Sequence, residues 1–461
     1  MRLDLFLPIL RWGREYNRET FVQDAVAALI ITMMMIPQSL AYALLAGLPP
    51  QLGLYASMLP LLLYALVGSS GALSVGPFAI SSIMTATALS VAFPESRPED
   101  YLLGAVVLAL SSGMMLLLFG LLRLGFLSNF LSFPVITGFI SASAIVIAVS
   151  QIGNLSGLDV RGDNLLTMLT DLGLGLHAIN LYTLALGMVA VLMLYFLPDW
   201  LKKLSLRLGF ASFWADILSK STPILVMCLS ILVVFLFDLQ QQIAVIGVIP
   251  QGLPELHLPD INALNWSTER WQSLLSSAAL ISLIGYVSAL SVAQSFAAKR
   301  RQRVNPNQEA VGLGLANLAS GVSGAFPISA SMSRSAVSFK AGAQTPAAGA
   351  FAALAIGFST LFMTPFLYYV PIANLAAMIM VAIISLVDIP AIKRVWSYSR
   401  SDFSALALTA LVTLIQGVEL GLISGVVLSI MLYLYRSSTP HIAVVGKIPG
   451  SEHFRNRLRH Q

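Results

Sequence analysis

The sequence predicts an all-α polytopic membrane protein, and three observations carry the prediction. Of 461 residues, 57% are hydrophobic and 10% charged, whereas a soluble domain has about 45–50% apolar and about 25% charged residues. The apolar residues form long continuous runs rather than an alternation, which excludes a β-barrel. Lys and Arg gather in every second connection between those runs. Charge this sparse, with a mean hydropathy of +0.83, also excludes a cytosolic enzyme, a disordered chain and a disulfide-built secreted domain. The single cysteine, Cys228, has no internal disulfide partner. A net charge of +5 reads as loops on the cytoplasmic face, not as a nucleic-acid surface.

In chain order, residues 1–21 form a polar N-terminal segment. Apolar runs then fall at about 22–45, 51–67, 78–92, 101–122, 129–150, 178–197, 222–238, 272–297, 309–323, 333–342, 346–365, 371–386, 403–416 and 418–435. These fourteen make a transmembrane domain over 22–436, in two halves of about 22–238 and 272–436, and residues 437–461 form a polar tail. Several runs are too short to cross about 30 Å at 1.5 Å per residue. With the N-terminus inside and strict alternation, 22 of the 26 Lys and Arg residues fall on the cytoplasmic face. Arg97, Arg161 and Arg270 fall outside, among Glu95, Glu99, Asp159, Asp163 and Asp260. Segments 151–177 and 239–271 read as the long outer loops, and 198–221 as a basic amphipathic inner connection. Both termini are therefore expected in the cytoplasm, in a plasma or inner membrane.

Two breaks occupy matched places, the third run of each half: LSVGPFAISS (73–82) and GAFPISASMSRSAVS (324–338). Each has a Gly, a β-prone stretch, a Pro, and then small residues. This pattern predicts a short strand turning into a half-helix at mid-membrane, which is tolerated where protein covers the backbone or a cavity receives it. Two half-helix N-termini aimed at one point make an anion site. Arg334 is the one basic residue that fits no loop, and no acid lies near it in sequence. A charge there costs about 2.5–3.5 kcal/mol on insertion scales, which a bound anion would relieve.

These residues resemble the sulfate permease (SulP) family, also called solute carrier family 26. The similarity covers nearly the whole chain and rests on MIPQSLAYALLAGLPPQLGLY (35–55), GSSGALSVGPFAISSIM (68–84), NPNQEAVGLGLANLASGVSGAFP (305–327), SMSRSAVSFKAGAQTP (331–346) and SDFSAL (401–406). The resemblance implies two inverted seven-segment repeats arranged as core and gate domains, with the anion held between segments 1, 3, 8 and 10. It places Gln38 and Tyr42 on segment 1, Gly76, Pro77 and Phe78 at the junction of segment 3, and Ser333 and Arg334 at the start of segment 10. Gln38 would donate its amide, Tyr42 and Phe78 present ring edges, Ser333 ligate, and Arg334 supply field. On segment 8, Ser288 stands where coupled relatives carry an acid. The tail resembles the linker into a STAS domain, which is missing from this chain. A homodimer is expected, and no cofactor, metal or nucleic acid.

Other candidates read as structural. Asp24 and Glu419 read as helix-cap or dipole partners. Asn305, Asn307 and Glu309 read as caps of segment 9. Gly417, Gly421 and Gly425 form a close-packing stripe, within the subunit or across a dimer. No Walker A motif, metal cluster or nucleophile elbow appears, so the chain is not expected to be an enzyme. The expected function is transport of a small inorganic anion, sulfate by default and bicarbonate or chloride next, by alternating access. Exchange or uncoupled movement is expected rather than strong proton coupling. The alternatives are a channel-like or prestin-like anion-sensitive protein and, further off, a nucleobase carrier.

Overall fold

The computed structural model describes residues 7–94, 98–125, 133–158, 160, 164–250, 252–256, 266–384, 386–438, 445–447, 452 and 454–456. The outer-loop charges Glu95, Arg97, Asp159, Arg161, Asp163 and Asp260 lie outside these residues, as does most of the tail.

Each of the fourteen apolar runs carries a helix. In the first half these are α1 (Arg18–Leu45), α2 (Leu59–Val67), α3 (Ala79–Ala92), α4 (Pro98–Leu121), α5 (Phe133–Ser156), α6 (Leu181–Arg207) and α7 (Thr222–Leu236). In the second half they are α8 (Thr268–Lys299), α9 (Pro306–Val322), α10 (Met332–Lys340), α11 (Ala347–Phe362), α12 (Ile372–Ile384), α13 (Arg400–Gln416) and α14 (Val418–Ser438). Two two-residue strands, β1 (Val75–Gly76) and β2 (Ser329–Ala330), precede α3 and α10. Among the described residues, seven helices are long and apolar enough to cross a membrane, or eight if the pair Ser212–Lys220 and Thr222–Leu236, bent by 49°, acts as one. The chain is a multi-pass membrane protein. Short helices also occur at Gln51–Tyr55, Ser212–Lys220 and Ile389–Tyr398.

The reading of 151–177 as a loop is corrected. α5 runs on to Ser156, and Leu165–Gly175 is a helix. Its start is a capping box: Asn164 accepts from the Thr167 N–H and the Thr167 hydroxyl accepts from the Asn164 N–H. Reciprocal caps of this kind nucleate a short helix inside a polar stretch.

The helices divide by burial. In α1, 78% of the apolar window is buried, against 22% in α6, so α1 is interior while α6 turns Leu181, Tyr195 and Phe196 outward. Contacts run crosswise between the halves. α1 packs on α10 and α11, α8 on α3 and α4, α2 on α9 and α11, and α5 on α12 and α13.

The most extensive of these pairings is α4 on α9, where glycines let two backbones meet. A Cβ at Gly113 would lie 2.7 Å from Leu318 N, and one at Gly314 would lie 2.8 Å from Leu117 N. Gly120 faces Asn307 O, and Gly321 faces Leu110. Without a hydrophobic drive between helices in lipid, such close approach supplies the association energy. The stripe on α14 also packs within the subunit. Gly421 lies on Thr413 and Gly425 on Thr409, both of α13, while Gly417, at φ 103°, makes the turn between the two helices.

Gly314→Ala is expected to lower the thermal unfolding midpoint of the purified protein, because the new methyl meets backbone that cannot move aside; overpacking of this kind costs about 1–3 kcal/mol. Gly349→Ala in α11, whose Cβ would meet only Leu61 at 3.8 Å, is expected to hold or raise the midpoint, since Ala replaces a helical Gly at a gain of about 0.5–1 kcal/mol. Equal midpoints for the two variants would contradict the seam.

Candidate anion site

The two sequence breaks meet in space. β1 and β2 pair antiparallel, Val75 opposite Ala330 and Gly76 opposite Ser329. The pairing continues through Ser331 N donating to Ser74 O at 3.1 Å and Ser74 N donating to Ser335 Oγ at 2.9 Å. Gly76 has φ +144°, a conformation that disfavours any side chain. Its Cβ would fall onto the Met35 methyl and lie 3.6 Å from Arg334 Nη2.

Strands this short need outside support, and polar side chains provide it. Asn317 of α9, 1% exposed, accepts from Ile328 N at 2.9 Å and donates to Ile328 O at 3.1 Å. Its amide thus serves as a neighbouring strand for the residue before β2. Ser320 donates to Phe326 O at 2.6 Å, and Ser329 of β2 donates to Gly285 O of α8 at 2.8 Å. Every one of these groups is buried, where a backbone group without a partner would be costly.

Arg334 is 0% exposed. Its guanidinium donates to Pro77 O at 2.8 Å, Gln38 Oε1 at 3.3 Å and Ser74 Oγ at 3.4 Å. It thereby ties α10 to α1 and to the β1–α3 junction. Among the described residues no carboxylate lies within ion-pair distance of it. All three partners are neutral, so its charge is hydrogen-bonded but not cancelled.

The other expected residues take up the following places. Gln38 turns its carbonyl to Arg334, which leaves its NH2 donors unpaired among the described residues. Tyr42 follows one turn later on the same face of α1, 4% exposed. Phe78 is the N-cap residue of α3, extended at φ −142° and without a side-chain cap bond. The first-turn N–H groups of α3 are therefore not taken by a capping side chain. Ser331 caps α10 by accepting from Arg334 N and lies 3.1 Å from the Ser333 hydroxyl, which is itself exposed. Ser288 is half-buried on α8, one turn beyond Gly285 and its bond to β2, and no hydrogen bond joins it to the others. Gln38, Ser74, Pro77 and Arg334 thus form one hydrogen-bonded cluster, and Gly76 lies against Arg334; Tyr42, Phe78 and Ser333 adjoin it through their own elements, and Ser288 does so only through Gly285.

Three cap assignments change. Glu309, 0% exposed, does not cap α9; that role belongs to Asn305, which accepts from Asn307 N and Gln308 N. Glu309 instead accepts from the Tyr64 hydroxyl and, at 2.5 Å, from the Ser69 hydroxyl, joining α9 to the end of α2. Asn307 accepts from Gly125 N. Asp24 leaves its own helix to Asn17 and accepts from Gln344 N, Thr345 N and the Thr345 hydroxyl, which fixes the entry to α11. Glu419, in the first turn of α14, accepts from Ser277 of α8 at 2.6 Å. Asn317, Ser74 and Ser335 were not singled out from sequence. For Asn317 the available signal was an amide inside the otherwise small and apolar GLGLANLASG, since an amide in such a helix needs a partner.

The profile of the Sulfate permease family matches residues 21–412. The chain is 34% identical over 456 residues to "Sulfate transporter 4.1, chloroplastic" of Arabidopsis thaliana, covering 98% of this chain and 64% of that protein. It is 32% identical over 455 residues to "Sodium-independent sulfate anion transporter" of Bos taurus, covering 95% and 74%. A solved structure of SLC26A9 superposes with TM-score 0.88 at 21% identity, over 99% of this chain and 72% of that one. The transmembrane domain of a cyanobacterium bicarbonate transporter, BicA, superposes with TM-score 0.75 at 21% identity, over 89% and 98%. These two structures speak for the fold. The chain spans about two thirds of the length of the first two curated relatives, both of which carry sulfate transporter names. The fold, the family profile and the identities agree, and the chain belongs to the sulfate permease family, a family of membrane transporters and not of enzymes.

Proposed function

We propose that this chain is a secondary transporter of a small inorganic anion, with sulfate as its default substrate and bicarbonate or chloride next. The observation that carries the reading is the β1–β2 pair. It brings two half-helix starts together beside a buried Arg334 whose partners are all neutral. An oxyanion entering there gives up water and takes N–H and O–H donors in exchange. The donors are the start of α3, the free NH2 of Gln38 and the hydroxyl of Ser333, with Tyr42 and Phe78 as ring edges. Each half-helix adds a partial positive charge of about half a unit at its start. The names of relatives supply the choice of sulfate, and that of BicA supplies bicarbonate.

In this reading the domain spans 22–436 as fourteen segments in two inverted repeats, about 22–238 and 272–436. Helices α1–α4 and α8–α11 form the core, and α5–α7 and α12–α14 form the gate. The crosswise pairing of α1 with α11 and α8 with α4 supports the assignment. Alternating access follows if the core, carrying the site, moves against the gate. Both termini face the cytoplasm, from a plasma or inner membrane, and a homodimer is the proposed assembly. Uptake of labelled sulfate, bicarbonate and chloride into proteoliposomes, with and without a pH gradient, tests the function. Absence of saturable uptake of all three would overturn it.

Arg334→Ala is expected to weaken sulfate binding by about 1–3 kcal/mol, the worth of a charge-assisted contact, read as a rise in Kd. An unchanged Kd in a variant that still folds removes Arg334 from the site. Gly76→Leu is expected to slow transport at least about tenfold, or about 1.4 kcal/mol, because its side chain would occupy the space between Met35 and Arg334 while the backbone is strained. Near-normal uptake would reduce the 73–82 break to a packing kink.

Ser288→Glu is expected to introduce pH dependence into transport. Ser288 does not titrate near neutral pH, and α8 carries no acid within the membrane. The new carboxylate would repel substrate when ionised, so transport by the variant should fall as pH rises and recover as pH falls. Internal acidification or alkalinisation stoichiometric with sulfate uptake by the unmodified protein, with bicarbonate excluded, would show that an acid elsewhere carries the proton.

A further inference from the structure

The face of the core that carries the N-terminal segment holds a cavity of about 560 Å³. Its walls are the helix Ile9–Trp12 and its flanks, the α2–β1 connection at Ser69, the α8–α9 loop at Gln302 and Arg303, and the α10–α11 connection at Gln344. We propose that this cavity is a second, non-transporting site that binds a phosphate ester.

The wall is rich in donors that have nothing to donate to. Arg11 and Arg303 both line it, and neither makes an ion pair or hydrogen bond among the described residues. Glu15 is the one acid in the lining, so the charge balance is positive. The indole Nε1 of Trp12 is buried and has no acceptor. A buried donor left unpaired is costly, so this one marks the place of an acceptor. The side-chain amides of Gln302 and Gln344 are also without partners among the described residues. The nearby helix ends are already occupied. Asn305 already takes the first N–H groups of α9, and Asp24 takes those that precede α11. Recognition would fall to side chains.

Two guanidiniums and an indole N–H call for an anion with several acceptor oxygens, and the planar fork of Arg matches phosphate in particular. The cavity lies within the range of about 300–1,000 Å³ typical of organic ligands, and so has room for the organic part of an ester. A soluble phosphate ester and a phospholipid headgroup share this chemistry. An occupant would bridge the loop that leads into β1 and the loop that leaves α10. Ser69 lies in the wall and also donates to Glu309, so binding there would stiffen the core without touching Arg334. The proposal concerns a site apart from the transport site and does not depend on which ion is moved.

Calorimetric titration of the full chain tests it in two arms. Glycerol 3-phosphate, a soluble phosphate monoester, is titrated into protein in detergent, and a short-chain phosphatidylinositol phosphate is titrated into protein held in nanodiscs of phosphatidylcholine. Saturable binding is expected in at least one arm, and the arm that binds identifies the source of the phosphate. The double variant Arg11→Gln/Arg303→Gln alters two exposed side chains and should fold. It should weaken binding at least about tenfold, as loss of bidentate contacts implies, while Arg334→Ala leaves it unchanged. The proposal is overturned by no saturable binding in either arm, by binding that survives the double variant, or by binding lost on Arg334→Ala.

Discussion

Everything near the proposed anion site depends on pairing two buried strands of two residues each. Lipid offers no hydrogen bonds, and each unpaired backbone group there costs several kcal/mol. Neither buried break would have its backbone satisfied alone. Together they satisfy one another between Val75–Gly76 and Ser329–Ala330, and side chains satisfy what remains. Asn317 takes both backbone groups of Ile328, Ser335 accepts from Ser74, and Arg334 donates to Pro77 O. Arg334 accordingly has two roles. It is a structural tie between α10, α1 and the β1–α3 junction, and it is a charge that no described carboxylate cancels.

The same logic of close approach holds the surrounding helices. Residues small enough to let backbones touch line the α4–α9 seam, where Gly113 and Gly314 face each other. That seam presents Asn317 to β2, since Asn317 sits one turn beyond Gly314 on α9. The glycines and the amide thus form one device: the first fixes how deep α9 packs, and the second reads that position onto the extended segment. On the opposite flank, Glu309 binds α9 to the end of α2 through Tyr64 and Ser69, so α9 is held at both ends of its buried length.

Much of this was legible in the sequence because it is local. Each long apolar run carries a helix, seven or eight of them long enough to cross a membrane among the described residues, and the Gly–Pro breaks mark the positions of β1 and β2 and of the short helices that follow. The isolation of Arg334 from any acid was also legible, and no described carboxylate pairs with it. What was not legible is long-range. Asp24 looks like a cap for α1 because it stands near its start, yet it fixes the entry to α11. Glu309 follows an N-cap Asn by a few residues and so reads as a second cap, yet its oxygens belong to Tyr64 and Ser69. Gln38 reads as a ligand donor, but its carbonyl is engaged by Arg334, and among the described residues only its NH2 has no partner. The helix Leu165–Gly175 was hidden by polar neighbours, although the Asn164–Thr167 box was there to be read.

The separation in sequence of the two strands bears on how the protein is made. Pro77 and the guanidinium that binds it are 257 residues apart. At about 5–20 residues per second, roughly ten to fifty seconds pass between synthesis of the first break and synthesis of its partner. During that interval α1–α3 are already in or near the bilayer, with the Ser74–Phe78 backbone unpaired. Water or the insertion machinery has to satisfy those groups until the second half arrives. The β1–β2 pair therefore cannot form before residue 330 has been made, and the first half alone lacks it. A chain interrupted between α7 and α10 would present β1 without the strand it pairs with.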